Sequence, residues 1–213
     1  MPVHAAEDRL SDRAWQPDGS HSQGGYFGQR MTADEFLSIQ DETTNYELID
    51  GVVVVSPSPE PPHQKVTLEV AGQLWVFNRH ARVGELYVET DVHFGEGRHG
   101  GDVVYRPEII FVRNERVKDI VRRHKIQGAP HLVVEVISRG SRHFDTTTKK
   151  SDYERFGIHE LWLFDPERKG MMFYRSHDGR LVEVPAAGNT FASEAVPGFL
   201  LDLVPIRELM EQS

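Results

Sequence analysis

The run HLVVEVIS, residues 131–138, constrains the fold more than any other stretch of this chain. A continuous apolar segment of strand length reads as a strand covered on both faces, so the rest of the chain must supply a layer on either side of it. Glu135 alone interrupts the apolar pattern with a charge. An ionised carboxylate buried without a partner costs several kcal/mol or is driven to take up a proton. Something must therefore sit beside Glu135.

The 213 residues suffice for one domain with a substantial core. Residues 1–30, ending WQPDGSHSQGGYFGQR, are rich in Gly, Ser and polar residues without sustained periodicity and are expected to be a flexible tail. Residues 31–213 are expected to form the single folded domain. Thr32 with Glu35 has the spacing of a capping box and predicts a short helix. NYELIDGVVVVSPSP predicts two strands, about 45–49 and 52–56, hinged on Asp50-Gly51. In 63–81, Val66, Val70, Leu74 and Phe77 mark one face of a helix. His63 lies one turn before Val66 on that face.

Three strands are expected at 85–94, 102–112 and 131–138, with a short exposed helix or a loop between the last two. A helix follows, N-capped by Asp145 and ended by Gly157; ELWLFDP (160–166) is a further strand, and a hairpin turns at Asp178-Gly179. The fold class is therefore α/β or α+β, a sheet covered by helices.

With no cysteine, the chain has no disulfide, thiolate metal site or cysteine nucleophile, and it fits a reducing cytoplasm. The opening residues lack the pattern of a signal peptide and no apolar run approaches a membrane span, so a cytoplasmic protein is expected with no membrane partner. The net charge of −9 argues against a polyanionic partner, but it is unevenly spread. Residues 113–125 hold six Arg or Lys against two acids, and residues 139–150 hold four against one. These runs offer either a positive surface or ordinary solvated faces.

Three glutamates, Glu47, Glu108 and Glu135, interrupt otherwise apolar strands. Lys149, Tyr153 and Phe156 share one helix stripe, so an inward-facing aromatic pair brings Lys149 inward too, where it needs a negative partner. Two adjacent carboxylates repel unless a cation intervenes; Mg²⁺, which prefers oxygen ligands, fills that role, and a lysine nearby can orient or deprotonate its water.

In order and spacing, YELIDG, SPSP followed by HQ, PEIIFV, LVVEVIS, D-x3-K-x3-Y-x3-G and ELWLFDP resemble the Uma-two family of restriction endonucleases, within the PD-(D/E)XK nuclease superfamily. The resemblance spans about residues 31–205. It implies a restriction-endonuclease-like core, a mixed central sheet flanked by helices, with an added N-terminal helix and hairpin. It also implies hydrolysis of DNA phosphodiester bonds with Mg²⁺ or Mn²⁺ as cofactor. Glu108 and Glu135 become the metal-binding acids, joined by the backbone carbonyl of Val136, with Glu47 as an outer ligand. Glu108 replaces the usual aspartate, and Ile137 stands where the superfamily lysine usually sits, so Lys149 takes that role from the next helix. His63, Arg139 and Arg142 become candidate phosphate contacts, with capping an equal alternative for His63. Cutting both strands needs two sites, which leaves room for a homodimer. The alternative function is an inactive nuclease-fold module that binds nucleic acid or protein, since a glutamate at 108 is one methylene longer and displaces a metal.

Overall fold

In the computed structural model of the protein, which describes residues 25–41, 43–123 and 125–212, Asp50 and Gly51 form the turn expected of them. Both have positive φ, 47° and 75°, the combination that matches the twist of a tight hairpin. They join β1 (Tyr46–Ile49) to β2 (Val52–Val55) in antiparallel register from Tyr46↔Val55 to Ile49↔Val52. Ahead of the hairpin, Thr32 and Glu35 cap helix α1 (Ala33–Leu37) reciprocally. Most of the expected N-terminal tail lies outside the described residues. Its last residues run along β2: the Gly28 N–H donates to the Val53 carbonyl at 2.8 Å, and Arg30 bridges to Val52.

Helix α2 (Pro61–Ala81) starts on two prolines, whose fixed φ suits the first turn. Its face of Val66, Val70 and Leu74 is fully buried. The expected strands 85–94 and 102–112 are each cut in two. The first becomes β3 (Gly84–Val88) and β4 (Val92–Glu96), the second β5 (Asp102–Tyr105) and β6 (Ile109–Arg113). Glu89 takes a positive φ of 44° at the first break, and Pro107, with no N–H for a ladder, sits at the second. The two breaks lie side by side: the Glu89 N–H donates to the Glu108 carbonyl at 3.1 Å, and Arg106 grips Asp91 with two hydrogen bonds of 2.8 and 3.1 Å. Both strands thereby pass together from one sheet to another.

The basic segment becomes α3 (Asn114–Ile120), followed by the short strand β7 (Ile126–Gln127) and by β8 (Leu132–Val136). A π-helical turn, Phe144–Lys149, leads into α4 (Lys150–Phe156), which Gly157 ends at φ 78°. Strands β9 (Glu160–Asp165), β10 (Gly170–His177) and β11 (Arg180–Glu183) follow, then a small hairpin of β12 (Thr190–Ala192) and β13 (Leu200–Asp202), and α5 (Val204–Glu211) beside α2. One sheet has the order β2-β1-β5-β4-β7 and the other β11-β10-β9-β8-β6-β3. Both are mixed, with β4–β7 and β8–β9 parallel.

Alternation along β8 assigns its two faces. Leu132, Val134 and Val136 pack in the core formed with α2, Trp162 and the C-terminal segment. Val133 and Ile137 belong to a second core with Phe94, Tyr105 and Tyr153. Glu135 shares the parity of the second set, so it faces the helix that carries Lys149. Ile137, at the position of the usual lysine, is a core residue.

Candidate active site

Helix geometry places Lys149 one turn before Tyr153, and both side chains reach Glu135. Lys149 Nζ lies 3.2 Å from Glu135 Oε1, and the Tyr153 hydroxyl donates to the same oxygen. The ammonium also lies 2.8 Å from Glu47 Oε1 and 3.6 Å from Asp145 Oδ1. Glu47 is fixed in turn by the Ser56 hydroxyl at 2.9 Å and the Arg106 N–H at 3.2 Å. Glu135 is 2 % exposed and Lys149 6 %. The partner demanded by a charge in HLVVEVIS is thus a lysine from the following helix.

Glu108 arrives from the second strand break, where Pro107 releases the chain from the ladder. Its Oε1 lies 2.9 Å from His63 Nε2, and its Oε2 accepts from the Val136 N–H at 3.2 Å. Glu135 feels the charge of the Glu108 carboxyl, and both side chains line one cleft, Glu108 being held on the N–H of Val136, the residue after Glu135. Burial raises the pKa of both, well above the ordinary value for Glu135. Burial also pushes Asp145 up to about 7. Burial opposes the charge on Lys149, but Glu135, Glu47 and Asp145 outweigh it and hold the ammonium above its usual range. Burial lowers His63, which favours a neutral ring.

These groups line a cleft of about 1160 Å³ that also admits Val136. Glu108 is more open than Glu135, its side chain 18 % exposed against 3 %. Among the described residues, no group of three or more His, Asp or Glu forms a ready metal cage. The donor set still fits a hard divalent cation. Mg²⁺ commonly takes one or two carboxylates and completes its shell with water and phosphate, and here Glu108 and Glu135 line one cleft, where a cation would relieve the repulsion that Glu108 exerts on Glu135.

The site thus gathers Glu47, His63, Glu108, Glu135, Val136 and Lys149. It does not gather Arg139 or Arg142. Arg142 makes two hydrogen bonds to Asp165, at 2.8 and 2.7 Å, and a third to Glu167 at 3.0 Å, while Arg139 pairs with Glu167 at 3.2 Å. Neither lines the cleft. No described residue of the basic run 113–125 lines the cleft either, and several are engaged elsewhere: Arg113 holds the carbonyls of Glu194 and Ala195, Arg116 that of Ala129, and Lys125 pairs with Asp34.

Asp145 requires a correction. The helical turn starts at Phe144 behind His143, so Asp145 lies inside the first turn and caps nothing with its side chain. It is buried and turned toward Lys149. Its i, i+4 spacing to Lys149 was the sequence signal for this. π-helical turns recur at functional sites, and this one carries both residues.

A family model described as "Putative restriction endonuclease", named Uma2, matches residues 33–204. The chain belongs to the Uma2 family. A solved structure with the same fold, titled as a putative nuclease belonging to DUF820 from Anabaena variabilis ATCC 29413, is 19 % identical with a TM-score of 0.66, over 84 % of this chain and 99 % of that one. A curated relative, the bifunctional protein FolD of Halothermothrix orenii, is 31 % identical over 68 residues, which are 32 % of this chain. This Uma2 chain spans about a quarter of FolD, 24 % of its length. Membership fits the expected core. Among the described residues, no helix of this Uma2 protein is long and apolar enough to cross a membrane.

Proposed function

We propose that this Uma2 chain is a metal-dependent endonuclease that hydrolyses DNA phosphodiester bonds. The observation that carries the proposal is the placing of Glu108 and Glu135 in one cleft, with Glu108 held on the Val136 N–H at 3.2 Å and the Lys149 ammonium 3.2 Å from Glu135. Glu108, Glu135 and the Val136 carbonyl would hold Mg²⁺ or Mn²⁺. When bound, the metal would supply charge neutralisation for the phosphate and a more acidic water. Lys149 then orients the attacking water and offsets the negative charge that builds on phosphorus. Glu47 and Asp145 hold Lys149 charged and in place. Tyr153 fixes the Glu135 oxygen that faces the lysine. Two-strand cleavage would pair two such sites, most simply in a homodimer.

Plasmid nicking tests the proposal. Purified protein is expected to nick supercoiled DNA with Mg²⁺ or Mn²⁺, to stop with chelator, and to lose activity on Glu135→Gln or Lys149→Met while the thermal transition remains cooperative. DNA retention that ignores chelator, with no cleavage in any divalent metal, would make the protein a binding module and refute the proposal.

A further inference from the structure

The sequence left residues 113–125 and 139–150 open as a positive surface or solvated faces, and of their arginines and lysines only Lys149 lines the cleft. A different set of cations lines it: Arg30, Arg98, His99, Arg106 and His143 beside Lys149. Arg106 is committed to Asp91 by two hydrogen bonds, and Lys149 is buried among carboxylates. His143 is carried by the turn that leads to α4, which leaves Arg30, Arg98 and His99 together on the opposite element, all exposed.

These three are carried on one rim built around the Asp50-Gly51 turn. The Met31 N–H donates to the Gly51 carbonyl at 2.9 Å on one side, and the Gly51 N–H donates to the Asp102 carbonyl at 2.8 Å on the other. The His99 N–H donates to Asp50 Oδ1 at 3.0 Å. The loop 97–101 presses so closely on the turn that a Cβ at Gly101 would stand 2.1 Å from the Asp50 backbone, and one at Gly97 1.8 Å from Asp50 Oδ1. Gly97 and Gly101 are required by that approach, and the approach fixes Arg98 and His99 at the cleft edge. Arg98 reaches over to the catalytic helix, donating to the Ser151 hydroxyl and lying 3.9 Å from Asp152. Its guanidinium retains unused donors, because a guanidinium offers five N–H groups in a planar fork suited to phosphate. Among the described residues, the Arg30 guanidinium has no hydrogen bond or ion pair.

We infer that Arg30 and Arg98, with His99 between the loop glycines, form the lip that grips the phosphodiester backbone of duplex DNA next to the carboxylate floor. The inference rests on the nuclease proposal and assigns the backbone contacts to arginines that belong to neither basic run. A chain with net charge −9 can hold a polyanion in this way because the cations that matter are local to the cleft. Neutralising a phosphate releases condensed counterions, so each contact leaves its mark on the salt dependence of binding.

The test is equilibrium binding of a fluorescent DNA duplex to the full chain in Ca²⁺, titrated with salt, for wild type, Arg30→Gln, Arg98→Gln, the double variant and the surface control Arg180→Gln. Each rim variant is expected to lower the slope of log K against log salt by about 0.9, and the double variant by about twice that. Between about 50 and about 200 mM salt, each rim variant then loses about 3.5-fold less affinity than wild type, while Arg180→Gln tracks wild type. Arg30→Gln keeps the test meaningful if Arg98→Gln disturbs the loop. Wild-type binding with unchanged slopes in both rim variants overturns the inference and leaves the nuclease proposal standing. Failure of the wild type to bind DNA or cut it overturns both.

Discussion

His131 gives this protein a calculable acid sensitivity. It precedes β8, is 3 % exposed, and its Nδ1 accepts the Arg113 N–H at 3.2 Å. That bond fixes the neutral tautomer with the proton on Nε2, which faces Glu115 at 3.8 Å; the ring packs on His159 with centroids 4.9 Å apart. Burial, then the charges of His159 and Arg113, lower its pKa from 6.5 to about 4. Protonation would turn Nδ1 into a donor aimed at a donor. The folded pKa lies below the unfolded one, so the stability held by the neutral ring is complete above about pH 6.5 and drains away as the pH falls toward 4. Between about pH 7.5 and about pH 4.5 the loss from this residue is about 2.5 kcal/mol, at 1.36 kcal/mol per pKa unit.

The perturbation is His131→Asn, whose amide oxygen can replace Nδ1 as acceptor for Arg113. Urea unfolding at the two pH values gives a double difference in which every other titrating group cancels. The wild type is expected to lose about 2.5 kcal/mol more than the variant over that interval. Equal losses would refute the assignment of acid sensitivity to His131.

Asp145→Asn is expected to slow plasmid nicking roughly 10- to 100-fold, the usual penalty for removing a group that orients an active-site side chain, with circular dichroism unchanged. Glu160→Ala is expected to cost about 3 kcal/mol or more in urea unfolding. It would strip partners from Arg175, Ser193 and the Glu194 N–H at 3.0, 2.7 and 2.7 Å. Gly101→Ala is expected to dislodge the loop 97–101 and weaken duplex binding several-fold, measured by fluorescence anisotropy, with nicking reduced in parallel.

Where local chemistry settles geometry, the sequence was enough. Asp50-Gly51 could scarcely do anything but turn, the stripe from Val66 to Leu74 had to find a core, and the spacing of Lys149 and Tyr153 put both on one inward stripe. The breaks at Glu89–Asp91 and Arg106–Glu108 were hidden because a strand that changes sheets keeps its apolar character on both sides of the bend. Asp145 was misread as a cap because a carboxylate before a helix has a ready local explanation, whereas its burial depends on Glu47 and Glu135 from distant strands. The basic runs stayed ambiguous for a similar reason: charge counted along the chain does not reveal that Arg113 is bound to carbonyls and Arg142 to acids across the fold.

The placement of Lys149 on the connection between two parallel strands also sets when the site can exist. Glu47 and Glu135 lie on strands, and Glu108 at a strand break, that all precede that helix, and the helix seats on residues of the same earlier strands: Tyr153 packs on Phe94 and Tyr105, and the Tyr105 hydroxyl donates to Asp152 at 2.6 Å. A nascent or truncated chain ending before Lys149 would hold those acids without their counter-charge. Buried carboxyls lacking that ammonium are driven to take up protons, so the charged constellation exists only once the lysine-bearing turn is in place.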